Sequence, residues 1–266
     1  MFSRSTKKII FAAVALTIAQ AGQAESIWMT GNDGSTLFSV DSTNGASTQI
    51  GSFGQSSTYA LAFSGAGSLY GLSNGFNDGT LVTVNTATGS ATTVGASTGI
   101  SDLMALAFSP NGTLYAASWS TDSLYTLNQS TGAASLVGNL GFGGVMDIDF
   151  DSNGNLFGLS SSLYKINTQT GQGSLVTGLA NSCLMGMAID STDHFFATDY
   201  CNSSTPLYQI NTANGALTNL GNTGIANSMG GAIAPVAVPE PSTIALLGLA
   251  LMGMVFSRPK KKTLST

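Results

Sequence analysis

One pattern recurs five times along the chain and limits the folds that the chain can adopt. The copies span 36–51, 80–95, 123–138, 162–178 and 206–221, and only the fourth has an extra residue. Each copy has Leu at its second position, Asp or Asn at its sixth and Gly at its tenth. These glycines are 44, 43, 39 and 44 residues apart. Such a spacing indicates a repeat protein with a unit of roughly 43 residues.

Each copy predicts a β-hairpin. The run LYTL at 124–127 in the third copy has the two-residue period of a strand, and a second alternating run follows at 134–138. Between the two runs, Asn closes an Asx-type turn and Gly supplies the positive φ of a short hairpin loop. A disordered Gly/Ser/Thr spacer is the alternative, and five Asx–Gly pairs in phase argue against it.

A second hairpin recurs between these copies, at 60–73, 105–118, 147–160 and 186–198. One unit therefore contains four short strands, which is typical of a propeller blade. The segment 27–30 matches only the second strand of this hairpin, and 231–235 matches only the first. We therefore predict an all-β fold: a five-bladed β-propeller of four-stranded blades, closed by the C-terminal strand, which removes free sheet edges.

The composition of the chain differs between its N-terminal segment, its central region and its C-terminal tail, which predicts three parts of different roles. Residues 1–24 have basic residues, an apolar run and small residues before a cleavage site, as in a secretory signal peptide. The region 25–237 is predicted to be one propeller domain, and it contains twelve acidic residues against one base, Lys165. Because it offers no basic patch for a phosphate backbone, nucleic acid is not an expected partner.

The two cysteines are predicted to form a disulfide, because an exported chain meets an oxidising compartment. If the turn of the fourth inner hairpin centres on Thr192, a single ladder pairs Met187 with Ala197 and Cys183 with Cys201. Two unpaired thiols are the alternative.

The C-terminal tail has three successive parts. A proline-flanked segment at 238–242 is followed by an apolar run at 243–256 and a basic cluster at 258–262. The apolar run would be about 21 Å long as a helix, which is short for a stable membrane span. The basic cluster favours a cytoplasmic end.

These three parts resemble, in order, the PEP-CTERM sorting signal. The residues that match its motif are Val238, Pro239, Glu240, Pro241 and Ser242. The resemblance implies processing by an exosortase, a membrane enzyme of Gram-negative bacteria that also make exopolysaccharide. The expected locations are the inner membrane before processing, held there by the C-terminal helix, and then the cell surface or extracellular matrix. A C-terminal anchor that is never cut is the alternative.

Asp147, Asp149 and Asp151 alternate on the inner strand of one repeat, so their side chains share a face. The run 149–154 resembles the first half of a calcium loop, but Ser160 stands where such a loop has its bidentate Glu. An ordinary hairpin turn, a calcium site and a carboxylate pair acting on sugar therefore remain open. Because a carboxylate needs water or partners, the expected location of Asp147 and Asp149 is a wet central channel, where replacement by Ala leaves the fold intact.

Two aromatic residues, Trp119 and Tyr200, follow predicted strands and are candidate carbohydrate contacts. The other aromatics keep the register of the repeat and are predicted to pack between blades. With no base near a nucleophile, the expected function is a non-catalytic structural or binding module in an exopolysaccharide context, with no cofactor. A secreted polysaccharide hydrolase or lyase using the three aspartates, and a calcium-stabilised adhesion module, are the alternatives.

Overall fold

The structure, a computed structural model, describes residues 25–55 and 57–235. The predicted signal peptide at 1–24 and the predicted sorting segment at 238–262 lie outside these residues. Every element of the described residues is a strand, and none of them forms a helix that could cross a membrane.

Residues 25–55 and 57–235 form twenty strands in five groups. Blade 1 contains β1 (Ser26–Gly31), β2 (Thr36–Asp41) and β3 (Ser47–Ser52), and blade 2 contains β4 (Ala60–Phe63), β5 (Leu69–Ser73), β6 (Thr80–Val84) and β7 (Ala91–Ser97). Blade 3 contains β8 (Leu103–Phe108), β9 (Leu114–Ser118), β10 (Ser123–Leu127) and β11 (Ala134–Asn139). Blade 4 contains β12 (Asp147–Phe150), β13 (Leu156–Leu159), β14 (Ser162–Ile166) and β15 (Gly173–Gly178). Blade 5 contains β16 (Leu184–Ile189), β17 (Phe195–Asp199), β18 (Pro206–Ile210) and β19 (Leu217–Asn222), and β20 (Met229–Ile233) follows.

The five sheets are antiparallel and four-stranded, and β20 completes the first of them in the order β20-β1-β2-β3. Ile27 pairs with Ile233, and Trp28 pairs with Ala232. The inner strands β20, β4, β8, β12 and β16 contact one another in cyclic order around the axis. The predicted five-bladed propeller, closed by a C-terminal strand, is confirmed.

The hydrophobic core lies between the blades. Five clusters of buried residues each join two neighbouring blades, including one that joins blade 5 to blade 1. In four of the five blades, an aromatic side chain of the second strand contacts a Phe of the next blade, as the predicted packing role requires. The pairs are Trp28–Phe63, Tyr70–Phe108, Tyr115–Phe150 and Phe157–Phe195. A blade cannot bury both of its faces alone, so the ring as a whole supplies the core.

A glycine near the end of each outer strand makes a further joint with the neighbouring blade. A Cβ on Gly51 would overlap the carbonyl oxygen of Thr88, which belongs to the outer turn of blade 2. The same overlap would arise at Gly95 with Thr131, Gly138 with Thr170 and Gly221 with Asn44. Between blades 4 and 5 the relation is reversed, because a Cβ on Gly215 would overlap the carbonyl oxygen of Gly178. A backbone approach that requires glycine therefore occurs at all five blade interfaces, including that of blade 5 with blade 1.

The propeller has two unlike faces. One, the turn face, contains the short hairpin turns at 64–68, 109–113, 151–155 and 190–194 and the Asx–Gly turns of the outer hairpins. The other, the loop face, contains the segments between second and third strands and the connections between blades. These are 32–35, 74–79, 119–122, 160–161 and 200–205, and 53–59, 98–102, 140–146, 179–183 and 223–228. Irregular segments positioned by a rigid scaffold are where binding residues concentrate.

Candidate functional site on the loop face

The backbone of the loop face is more constrained than that of the turn face. The described part of the chain has nine non-glycine residues with positive φ, and only Asp193 among them lies on the turn face. The other eight belong to the loop face: Asn32, Asp33, Ser57, Asn74, Asp102, Asp122, Thr205 and Asn227. Such conformations persist where the surrounding structure fixes them, which is typical of functional loops.

Trp119 lies on this face, directly after β9, and its side chain is 48% exposed. The backbone N–H of Trp119 donates to the carbonyl oxygen of Asp102 at 2.8 Å, and this hydrogen bond fixes the backbone of the loop. The indole nitrogen lies close to Gly144, in the connection to blade 4. Trp119 is therefore positioned at the junction of blades 3 and 4 with an aromatic face available to a ligand.

Tyr200 lies in blade 5, at the start of the loop 200–205 on the loop face. It packs against the buried cluster of Tyr59, Met104 and Met229. Burial, and then the neighbouring Asp33 and Tyr59, raise the pKa of its phenol. The structure therefore places the two predicted contact residues in different blades of one face.

Sequence reasoning missed Phe76, which is 54% exposed on the same face. Its ring contacts Tyr59 edge-on, with centroids 4.6 Å apart. Phe76 lies outside the register of the repeat in a segment between two predicted strands, as Trp119 does, and that signal was available in the sequence.

The loop face is acidic. Asp33, Asp78, Asp102 and Asp122 lie on it, and the two basic side chains of the described residues, Lys165 and His194, lie elsewhere, in β14 and in a turn-face hairpin. Asp33 accepts a hydrogen bond from Asn227 at 2.7 Å. Carboxylates beside exposed aromatic rings suit a neutral or cationic ligand, because a polyanion would be repelled.

The disulfide Cys183–Cys201 is present on the loop face, with Cα atoms 5.8 Å apart. It ties the connection 179–183 to the loop 200–205 that positions Tyr200. In the chain-entropy view, closing a loop of this size stabilises the fold by about 3 kcal/mol.

The predicted ladder beside the disulfide is wrong at one point. The register shifts between Met185 and Ala188, so Met185 pairs with Thr198 and Met187 does not pair with Ala197. Gly186, at φ +60°, permits this bulge. The cysteines still meet, because they lie beyond the last pair of the ladder.

The expectation that Asp147 lies in a wet channel is also wrong, since this residue is fully buried. Its Oδ2 accepts a hydrogen bond from the N–H of Gly231 in β20 at 3.0 Å, and its Oδ1 accepts one from Ile148 at 2.9 Å. Asp149 Oδ2 accepts one from the N–H of Ile189 in β16 at 2.8 Å. The inner edges of these strands have no further strand to pair with, and the two carboxyl groups supply their acceptors.

Asp151 belongs to a hairpin turn on the turn face. Its Oδ1 accepts hydrogen bonds from the N–H groups of Asn153 and Asn155 at 3.0 and 2.7 Å. Among the described residues, the one group of three ligand atoms close enough for a metal is Cys183, Asp199 and Cys201, and its sulfurs are bonded to each other. The calcium and hydrolase hypotheses stay untested predictions, and the engaged oxygens of the three aspartates do not favour them.

Stability is expected to fall as the pH rises from 5 to 8. Burial raises the pKa of Asp149 to about 7, and burial also raises that of Asp147 well above its usual range. The folded state then retains protons that the unfolded chain releases above its ordinary pKa of 3.8. This stabilising contribution is complete below that value and is lost as the pH rises through the folded pKa. Hydrogen bonds from Thr43 lower the pKa of Asp41, an effect confined to pH values below 3.8.

Urea unfolding at the two pH values measures this effect. The variant Asp149→Asn cannot titrate at this position, so its stability is expected to differ less between pH 5 and pH 8. An equal pH difference in the two proteins would contradict the role assigned to Asp149.

Comparison with known proteins gives two sequence families and a fold. The profile described as the PEP-CTERM protein-sorting motif matches residues 237–261. A second profile, described as a repeat of unknown function (DUF6923), matches residues 28–230. A search of the curated proteins found no match.

Three solved structures show the likeness of fold. A chain of a nidogen–laminin complex has a TM-score of 0.58 at 10% identity, with 79% of this chain and 98% of that chain covered. A chain described under the de novo evolutionary emergence of a symmetrical protein has a TM-score of 0.54 at 19% identity, with 77% and 96% covered. A structural genomics protein of unknown function from Bacteroides thetaiotaomicron has a TM-score of 0.52 at 16% identity, with 81% and 63% covered. At these identities the likeness concerns the fold alone.

Proposed function

Since the chain belongs to the family described as a repeat of unknown function (DUF6923), whose profile matches 28–230, we propose that its propeller is an exported, non-catalytic binding module. The sorting motif matched at 237–261 is the observation that carries the proposed destination. In this proposal a signal peptide (1–24) directs export, the domain at 25–237 remains outside, and exosortase removes the tail at 238–262. The mature protein then resides on the cell surface or in the extracellular matrix of a Gram-negative bacterium.

The intact mass of the protein recovered from outside the producing cells tests this destination. We expect a chain that lacks both the signal peptide and the segment beyond the Pro239-Glu240-Pro241 motif. The variant Glu240→Ala is expected to keep the tail and to remain with the membrane fraction. An extracellular wild-type chain with the tail intact would contradict processing.

The proposed ligand is the exopolysaccharide that surrounds such a cell. The loop face supports this ligand, because Trp119 and Phe76 are half-exposed there and Asp33, Asp78 and Asp102 are nearby hydrogen-bond acceptors for sugar hydroxyls. A binding role fits the described residues better than catalysis does, because Asp147 is buried and Asp149 and Asp151 already accept backbone hydrogen bonds.

Affinity electrophoresis with polysaccharide isolated from the producing cells measures this binding. The variant Trp119→Ala is expected to weaken binding about tenfold, which corresponds to about 1.4 kcal/mol. Leu136→Ala is the control, because Leu136 is an apolar residue that is even more exposed than Trp119 (65% against 48%) and lies on the outer strand β11, away from the loop face. Equal affinities of the two variants, or a wild-type protein that is not retarded, would contradict the proposal.

A further inference from the structure

The inner strands have, where they begin at the loop face, a feature that sugar binding does not explain. The residue that enters each inner strand occupies an equivalent position in all five blades. These residues are Tyr59, Met104, Met146, Met185 and Met229. The equivalence follows from pairing with the second strand of each blade. The backbone N–H groups of Tyr59 and Met146 donate to the carbonyl oxygens of Leu72 and Leu159. Met185 and Met229 pair with Thr198 and Thr30, which occupy the corresponding positions in their own second strands.

Methionine is concentrated at this position. The described residues contain six methionines, and four of them belong to this ring. The other two, Met29 and Met187, lie in the core. Leu is the commonest buried apolar residue of the described part of the chain, and it would fill this apolar position equally well. The recurrence of a thioether at one symmetric position therefore indicates a role for sulfur beyond the filling of space.

The side chains of four members of the ring converge. Tyr59, Met104 and Met229 form one buried cluster, and Met185 packs against it. Met104 and Met229 are 5% and 6% exposed, whereas Met185, like Met146, is half-buried and therefore partly accessible to solvent.

Three of the five inner strands are bulged at the ring. The register shifts between Leu103 and Ala105, between Met185 and Ala188, and in the strand pair that contains Met229. Gly186 and Gly230, at φ +60° and +47°, permit two of these shifts. Bulges of this kind redirect a side chain and are frequent beside functional sites. The bulges are a feature of the backbone and therefore a second observation, separate from the recurrence of methionine. They occur at or beside the same residues.

We propose that this methionine ring binds a soft monovalent metal ion, Cu(I), through its thioether sulfurs. Thioethers are soft ligands that select Cu(I) over hard divalent cations. Other soft ligands do not compete within the described residues, because both cysteines are in the disulfide and His194 lies on the turn face. The loop face contains aspartates and no basic side chain of the described residues, so its negative charge favours the approach of a cation to the ring.

Calorimetric titration of the full mature protein with Ag(I), an air-stable soft ion, in chloride-free buffer tests the proposal. We expect one ion per chain. The variant Met104→Leu/Met185→Leu/Met229→Leu is expected to lose more than about tenfold in affinity, since removing even an outer-shell partner of a metal ligand has that effect. The control, Met29→Leu/Met187→Leu, conserves the ring and is expected to bind as the wild type does. Anaerobic competition with a chromogenic Cu(I) chelator then repeats the comparison with Cu(I).

Thermal unfolding verifies that each variant is folded, and Met185→Leu alone, at a half-buried position, provides a second ring variant if the triple variant does not fold. Absence of Ag(I) binding, equal binding by ring and control variants, or equal loss in both would overturn the proposal. The outcome is independent of the exopolysaccharide experiment, because Trp119 is not part of the ring.

Discussion

Removal of the last strand, β20, is expected to abolish cooperative folding of the propeller. A chain that stops at Asn227 leaves the inner edge of β1 without its partner and exposes Ile27 and Met29, both fully buried in the intact ring. It also loses Met229, which is 6% exposed. Each large apolar side chain contributes about 1.5–3 kcal/mol when buried, so the loss is roughly 5 kcal/mol or more. A typical domain is stable by only about 5–15 kcal/mol.

Urea unfolding followed by circular dichroism and gel filtration measures this loss. A chain that stops at Pro235 keeps β20 and is the matched control, which we expect to unfold in one sharp transition. A synthetic peptide of residues 228–235, added in excess, is expected to restore part of the transition in the shorter chain. The role of β20 would be refuted if both chains unfolded at the same urea concentration.

Replacement of Asp147 by Ala is expected to destabilise the ring by roughly 4 kcal/mol. Asp147 accepts a hydrogen bond from Gly231 in the closing strand, and the N–H of Met187 in β16 also favours its charged form. Without the carboxyl group, these two donors remain buried and unpaired, at about 1–3 kcal/mol each. The replacement therefore affects the two strands, β16 and β20, that complete the ring.

The measurement is best made at pH 5, because burial raises the pKa of Asp147 and a lower pH therefore reduces any contribution from a buried charge. Asp147→Asn retains an acceptor oxygen and is expected to lose much less stability than Asp147→Ala. If the two variants were equally stable, or if Asp147→Ala matched the wild type, Asp147 would have no role in closing the ring.

The repeat predicted the strands and their order because one unit of roughly 43 residues specifies its own hairpins. The closing pair, 27–30 with 231–233, followed from the incomplete units at the two ends. The role of Asp147 did not follow, because its partner Gly231 is 84 residues away and meets it only when the inner strands surround one axis. The bulge at Gly186 was missed because the strand Leu184–Ile189 contains no polar residue, so its sequence has no alternation that the bulge would interrupt.

The candidate site was predicted only in part. Trp119 and Tyr200 were identified because they interrupt the register of the repeat, and Phe76 offered the same signal. The methionine ring was not identified, because each of its members lies at the boundary of a predicted strand. Its symmetry is visible only when the five inner strands are superposed.

The glycine joints have a consequence for the closure of the ring. The joint between Gly221 and Asn44 is of the same kind as those at Gly51, Gly95 and Gly138, although it links the last blade to the first. The outer layer of the propeller therefore has no seam at the place where the covalent chain is interrupted. The contact that spaces successive blades also spaces the two blades that the chain does not connect.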